Sequence, residues 1–73
     1  MELKAALGLA LKELRTEKGV TQEKLAELSD LDVTFISRIE NGRRQPSLTT
    51  IFTISSALKI KPSTLIKNAE DRM

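Results

Sequence analysis

The segment Thr21 to Ser47, TQEKLAELSDLDVTFISRIENGRRQPS, leaves this chain few ways to fold. Thr21 is a good helix N-cap, with Gln22 and Glu23 in the turn that follows. Leu25, Ala26 and Leu28 are expected to face inward, and the small Ala26 lets two helices approach closely. Ser29-Asp30 interrupts that pattern, Leu31 reads as a buried plug in a tight turn, and Asp32 caps a second helix, roughly Val33 to Asn41. Gly42 ends the second helix as its left-handed residue, and two arginines follow it.

The flanking segments continue in helices. Helix 1 is expected over about Glu2 to Lys18, with Leu3, Leu7, Leu11 and Leu14 on one stripe and Gly19 as its left-handed terminator. Leu9 points away from that stripe, toward helix 5 or a second subunit. Helix 4 runs from Ser47 to Leu58 and is apolar over much of its circumference, through Leu48, Ile51, Phe52, Ile54, Ala57 and Leu58. Helix 5 is short, with Pro62 in its first turn and Leu65 and Ile66 as its apolar residues, and Asn68 to Met73 reads as a fraying tail. No segment shows a sustained period-two pattern, so the expected fold is all-α, a compact five-helix bundle forming one domain over residues 1–73. A chain of 73 residues buries only roughly 60% of its unfolded surface. With no Cys and no His, tight helix packing and self-association must supply what disulfides and soft metal sites cannot.

Several functions are excluded or disfavoured. The run Ala5 to Leu11 is interrupted by Gly8, has no cleavage site and falls far short of the ~20 apolar residues a membrane span needs. The chain is therefore expected to be cytoplasmic, with no membrane partner. Catalysis lacks its usual groups: there is no His, Cys or Tyr, Ser37 and Ser47 have no neighbouring base, and Glu23 with Glu27 makes an ordinary solvated pair. The three glycines form no phosphate loop. The expectation is a chain that is not an enzyme and carries no cofactor or metal.

Charge placement says more than the net of +2. If Glu40 is buried and paired, the stretch from Val33 to Pro46 presents Arg38, Arg43 and Arg44 alone, while Glu13, Glu17, Glu23, Glu27 and Asp30 lie elsewhere. Such asymmetry orients a protein on a polyanion. The helix from Val33 is two-faced: Ile36, Ile39 and Glu40 on one side, Thr34, Ser37, Arg38 and Asn41 on the other at i, i+3, i+4, i+7. Taken alone, the polar stripe is an ordinary solvated helix face. A stripe of donors and acceptors with no acidic member also suits base-pair edges in a DNA major groove.

The flanking motifs decide between these readings. They are Gly8, Leu11, Leu14 and Arg15; Gly19-Val20-Thr21-Gln22 with Leu25-Ala26; Ile36-Ser37-Arg38-Ile39-Glu40-Asn41-Gly42; Pro46-Ser47-Leu48; and Ala57-Leu58. In this order and spacing, from Leu7 to Ile66, the chain resembles the lambda-repressor-like helix-turn-helix family of the Cro and xenobiotic-response-element type. The resemblance implies that helices 2 and 3 form the helix-turn-helix. It implies that Val33, Thr34, Ser37 and Arg38 face the bases of double-stranded DNA. Gln22, Asn41, Arg43 and Arg44 would then contact its backbone. Arg38 can give two parallel hydrogen bonds to a guanine, and Val33 and the Thr34 methyl can pack on a thymine methyl. Two positions depart from the family pattern: Asp30 stands where Gly is usual in the turn, and Val33 where a polar reader is usual.

Arg15 and Glu40 are, by the same resemblance, a buried ion pair between helices 1 and 3. Phe35 lies one position off the Ile36 face and either packs in the core or touches a sugar or thymine methyl. One recognition helix reads few base pairs, so a homodimer on a near-palindromic operator is expected, with half-sites about 34 Å apart. Ile60, Leu65 and Ile66 are candidates for its interface or for closing the monomer core. Regulation would come from concentration, promoter occlusion or contact with RNA polymerase. The Leu31-Asp32 turn, Ser47-Leu48 and the five-helix ending look most like the controller proteins of restriction–modification systems. Phage Cro-like repressors and antitoxins, the latter acting as protein-interaction modules, share the fold.

Overall fold

A computed structural model describes residues 1–73, and every helix in it begins or ends on a signal readable in the chain. The elements are α1 (Leu3–Glu17), α2 (Gln22–Ser29), α3 (Val33–Glu40), α4 (Leu48–Ala57) and α5 (Pro62–Asp71), with no strand. Three N-caps close hydrogen bonds that the first helical turn cannot make for itself. The Thr21 hydroxyl accepts from the Lys24 N–H, the Asp32 carboxylate from Thr34 N–H at 2.7 Å, and the Ser47 hydroxyl from Thr50 N–H at 3.1 Å. Pro62 opens α5, where a missing N–H costs nothing.

The four inter-helix exits share one geometry. Gly19, Asp30, Gly42 and Lys59 all have positive φ. The residue after each donates its N–H five positions back, Val20 to Arg15, Leu31 to Ala26, Arg43 to Arg38 and Ile60 to Ser55, over 2.9 to 3.2 Å. This is the Schellman motif, which reverses the chain within two residues and keeps the connections short. Asp30 occupies the left-handed region at φ 56, as its position in the turn requires. Lys59 does the same at φ 58 with no sequence cue.

The core is a layer of aliphatic side chains drawn from every helix: Leu7 and Leu11 from α1, Leu25 from α2, Ile36 and Ile39 from α3, Ile51 and Ile54 from α4, Leu65 and Ala69 from α5. Val20, Leu31 and Ile60, each just past a Schellman glycine or its substitute, pack against its edge. Leu28 was expected inside and is 49% exposed. The buried stripe of α2 is Leu25, Ala26 and Ser29, and Leu28 lies about 100° from its centre at 3.6 residues per turn. Ser29 is tolerated there because its hydroxyl donates to the Leu25 carbonyl at 2.6 Å. Leu3, at the start of α1, is also exposed.

Nor does the chain fray from Asn68. Helix α5 continues to Asp71 because Ala69 is buried and because Asn68 and Arg72 both donate to the Glu13 carboxylate on α1, at 2.9 and 2.5 Å. That clamp draws the Glu13 carboxyl below the usual carboxylate range, first through the Asn68 hydrogen bond and then through the Arg72 charge. No helix is long and apolar enough to cross a membrane.

Candidate nucleic-acid interface

Helix α3 has one buried face and one open face. Ile36 and Ile39 are essentially inaccessible and Glu40 is buried beside them. On the other side Thr34, Arg38 and Asn41 are exposed, Ser37 is half-buried and Val33 is 38% exposed. Nothing overlies the Thr34, Ser37, Arg38 stripe, so a duplex can reach it. Asn41 lies one turn beyond Ser37 and donates to its hydroxyl at 3.4 Å.

The loop that follows is tied to the same helix. The Arg38 carbonyl accepts from the N–H groups of both Arg43 and Arg44, at 2.9 and 3.2 Å. Both guanidinium-bearing residues are thus fixed to the peptide of the third arginine. At the other three Schellman exits the residue in the Arg43 position is apolar (Val20, Leu31, Ile60) and turns into the core. At α3 it is an exposed arginine, which departs from the apolar contact that normally seals this motif. The Arg44 guanidinium stacks over the Phe35 ring, 5.3 Å from its centroid, a cation–π contact. Phe35 is half-buried and packs against the core edge. Of its two expected settings the core one is found, and the ring also carries Arg44, a contact outside both expectations. The sequence signal was an aromatic nine positions before an arginine, which no helical periodicity links.

Arg15 and Glu40 form the expected ion pair. Arg15 Nε donates to Glu40 Oε2 at 2.6 Å and Nη2 to Oε1 at 3.0 Å, a fork matched to a carboxylate. Arg15 Nη1 also donates to the Val20 carbonyl at 2.7 Å, locking α1 to the end of the α1–α2 turn, just before the α2 N-cap. The bond to Glu40 holds the guanidinium pKa above its usual value. Gln22, half-buried at the start of α2, is held as well: its Nε2 donates to Glu40 Oε1 at 2.9 Å. The sequence did not anticipate that contact. Val33, Thr34, Ser37, Arg38 and Asn41 thus lie on α3 or at its end, Arg43 and Arg44 are hydrogen-bonded to it, and Gln22 is joined to it through Glu40.

The proposed subunit-interface residues fare differently. Leu65 is 2% exposed and belongs to the monomer core, because α5 docks on α1 through Leu65 and Ala69. Ile60 is half-buried against the core edge. Only Ile66 is open, and it lines an apolar groove with Leu48, Phe52 and Pro62. Leu48 and Phe52, 66% and 56% exposed, are one turn apart on α4.

The family model described as Helix-turn-helix matches residues 11–65. This chain belongs to the helix-turn-helix family. Among curated relatives it is 43% identical over 70 residues to the control protein C.MunI of a Mycoplasma species, covering 94% of this chain and 95% of that one. Among solved structures it resembles the restriction–modification controller protein C.AhdI of Aeromonas hydrophila at 44% identity, with a TM-score of 0.81 over 84% of this chain and 92% of that one. The clp gene regulator ClgR of Corynebacterium glutamicum superimposes with a TM-score of 0.95 at 33% identity, covering 100% and 95%. These relatives are control proteins and a gene regulator, and this chain is a DNA-binding regulator of the same helix-turn-helix family.

Proposed function

We propose that this helix-turn-helix protein binds a near-palindromic operator as a homodimer, with α3 in the major groove, and controls a restriction–modification operon. The observation that carries the DNA reading is the open stripe of Thr34, Ser37 and Arg38 on a helix whose opposite face is buried, with two exposed arginines hydrogen-bonded to its end. Arg38 gives two parallel bonds to a guanine, while Val33 and the Thr34 methyl pack on thymine methyls. Arg43, Arg44 and Asn41 hold one side of the backbone, and Gln22 meets a phosphate at the positive end of the α2 dipole.

Size supports the dimer. The molecule extends 29 Å along its longest principal axis, less than the roughly 34 Å between successive major grooves on one face of a duplex. One copy therefore reads one half-site. The Leu48, Phe52 and Ile66 groove supplies an exposed apolar patch of the kind that a second copy covers. The likeness to C.MunI and C.AhdI supports the operon assignment.

The test is selection from a random duplex library, followed by fluorescence anisotropy at several salt concentrations. Affinity should fall steeply with salt. Arg43→Ala should weaken all sequences alike and reduce the salt slope, whereas Arg38→Ala should relax preference at one base, by a factor equivalent to roughly 1–3 kcal/mol. Equal losses for every sequence in both variants would remove Arg38 as a base reader. Phe52→Ser should shift sedimentation toward the monomer.

A further inference from the structure

Glu40 is the one buried carboxylate of the molecule, and it accepts three N–H bonds where the ion pair with Arg15 needs two. The third donor, Gln22, is the first residue of α2 and the residue assigned above to a phosphate. Because a carboxylate only accepts, the end of the Gln22 side chain that faces it is the NH2 group. A primary amide carries two N–H bonds, and Glu40 takes one. The second remains at the N-terminus of α2, where the first backbone N–H groups lack helical partners and the dipole favours an anion. A free glutamine must surrender its rotamer freedom to bind a phosphate; this one is already held.

We propose that Glu40 is a positioning residue for DNA binding: from within the core it fixes the Gln22 amide so that the second N–H of that amide meets a phosphate. The inference rests on the DNA reading. It adds that a side chain which never touches the duplex sets the strength of one backbone contact. It also ties that contact to all three helices of the reading head, since Arg15 is on α1, Gln22 on α2 and Glu40 on α3.

The experiment uses the full chain and a duplex recovered by the library selection. In the free protein, NMR of the Gln22 side-chain amide should show one proton protected from exchange and the other exchanging freely. Adding duplex should shift the second proton. Gln22→Ala should weaken binding roughly ten- to a hundredfold, as loss of one hydrogen bond to a charged group does. Its salt slope should be unchanged, because glutamine carries no charge. Gln22→Asn, which keeps an amide but is too short to bridge, should lose as much as Gln22→Ala. In Glu40→Gln, checked for folding by circular dichroism, the protection of Gln22 should weaken, because three donors then compete for one oxygen. A further Gln22→Ala change there should cost less than it does in the wild type. If Glu40→Gln does not fold, the amide exchange and the Gln22→Asn comparison decide alone. Equal, unprotected exchange of both amide protons in the free wild-type chain, or full affinity in Gln22→Asn, overturns the proposal while leaving DNA binding intact. Absence of any salt-dependent duplex binding by the wild-type chain overturns the DNA reading itself.

Discussion

Replacing Gly8 by Ala sets two physical effects of opposite sign against each other. In the middle of α1, helix propensity alone favours alanine by about 1 kcal/mol. The surroundings oppose it. A Cβ at position 8 would lie 2.3 Å from the Ile39 carbonyl oxygen and 2.8 Å from that of Glu40. Ordinary contact needs about 3.5 Å, so α1 and α3 must separate by roughly 1 Å. Both obstacles are backbone atoms, and the Ile39 carbonyl is itself engaged by the Gly42 N–H at the helix exit. Overpacking of this kind costs about 1–3 kcal/mol or more. Retreat of α3 also stretches the Arg15–Glu40 bonds, the shorter of which is 2.6 Å. Taking the upper part of that range and subtracting the propensity gain leaves a net loss of about 2 kcal/mol. For a domain of this size that lowers the melting temperature by about 10 °C. Thermal denaturation followed by circular dichroism measures it. A melting temperature at or above that of the wild type would refute the close-approach argument, because only the propensity effect would then be present.

Three further outcomes follow from the same geometry. Glu40→Ala strands the Arg15 guanidinium in a nearly closed site, an effect on the order of 3–5 kcal/mol, so the variant should be largely unfolded by circular dichroism; a native melting temperature would reject the pairing. Lys59→Gly relieves a left-handed lysine, which costs about 1–2 kcal/mol, less what glycine loses on folding; the melting temperature should rise by a few degrees, and a fall would show that Lys59 is not strained there. Glu13 has a depressed folded pKa, so the stability it lends is present above the usual carboxylate range and lost as pH falls through the depressed value. Amide protection factors near the end of α5, taken relative to the intrinsic exchange rate at each pH, should therefore fall in acid for the wild type and stay level over the same range in Glu13→Gln; an equal fall in both would show that the clamp is idle.

Much of the fold was legible because the chain spells its helix ends. Thr21, Asp32, Ser47 and Pro62 mark starts, and Gly19, Asp30 and Gly42 mark stops, each through a local hydrogen bond or a φ preference. The two faces of α3 were legible for the same local reason, since i, i+3, i+4 spacing places side chains without reference to the rest of the molecule. Leu28 misled because a short helix has room for only three buried positions, and Leu25, Ala26 and Ser29 filled them. The tail misled because Asn68 and Arg72 look like exposed polar residues until Glu13, 55 and 59 positions away, is brought beside them. Leu65 and Ile66 were equivalent in the sequence; only the docking of α5 on α1 sends one inward and leaves the other open.

What the amino-acid sequence determined by itself was local: where each helix begins and stops, which face of α3 is polar, and that an arginine pair follows it. Tertiary structure decided the rest, because it depends on atoms distant in the chain: the third hydrogen bond on Glu40, the Arg44 guanidinium over the Phe35 ring, and the apolar groove between α4 and α5. Periodicity and capping act over a few residues, whereas a shared carboxylate or a stacked ring exists only once helices have packed.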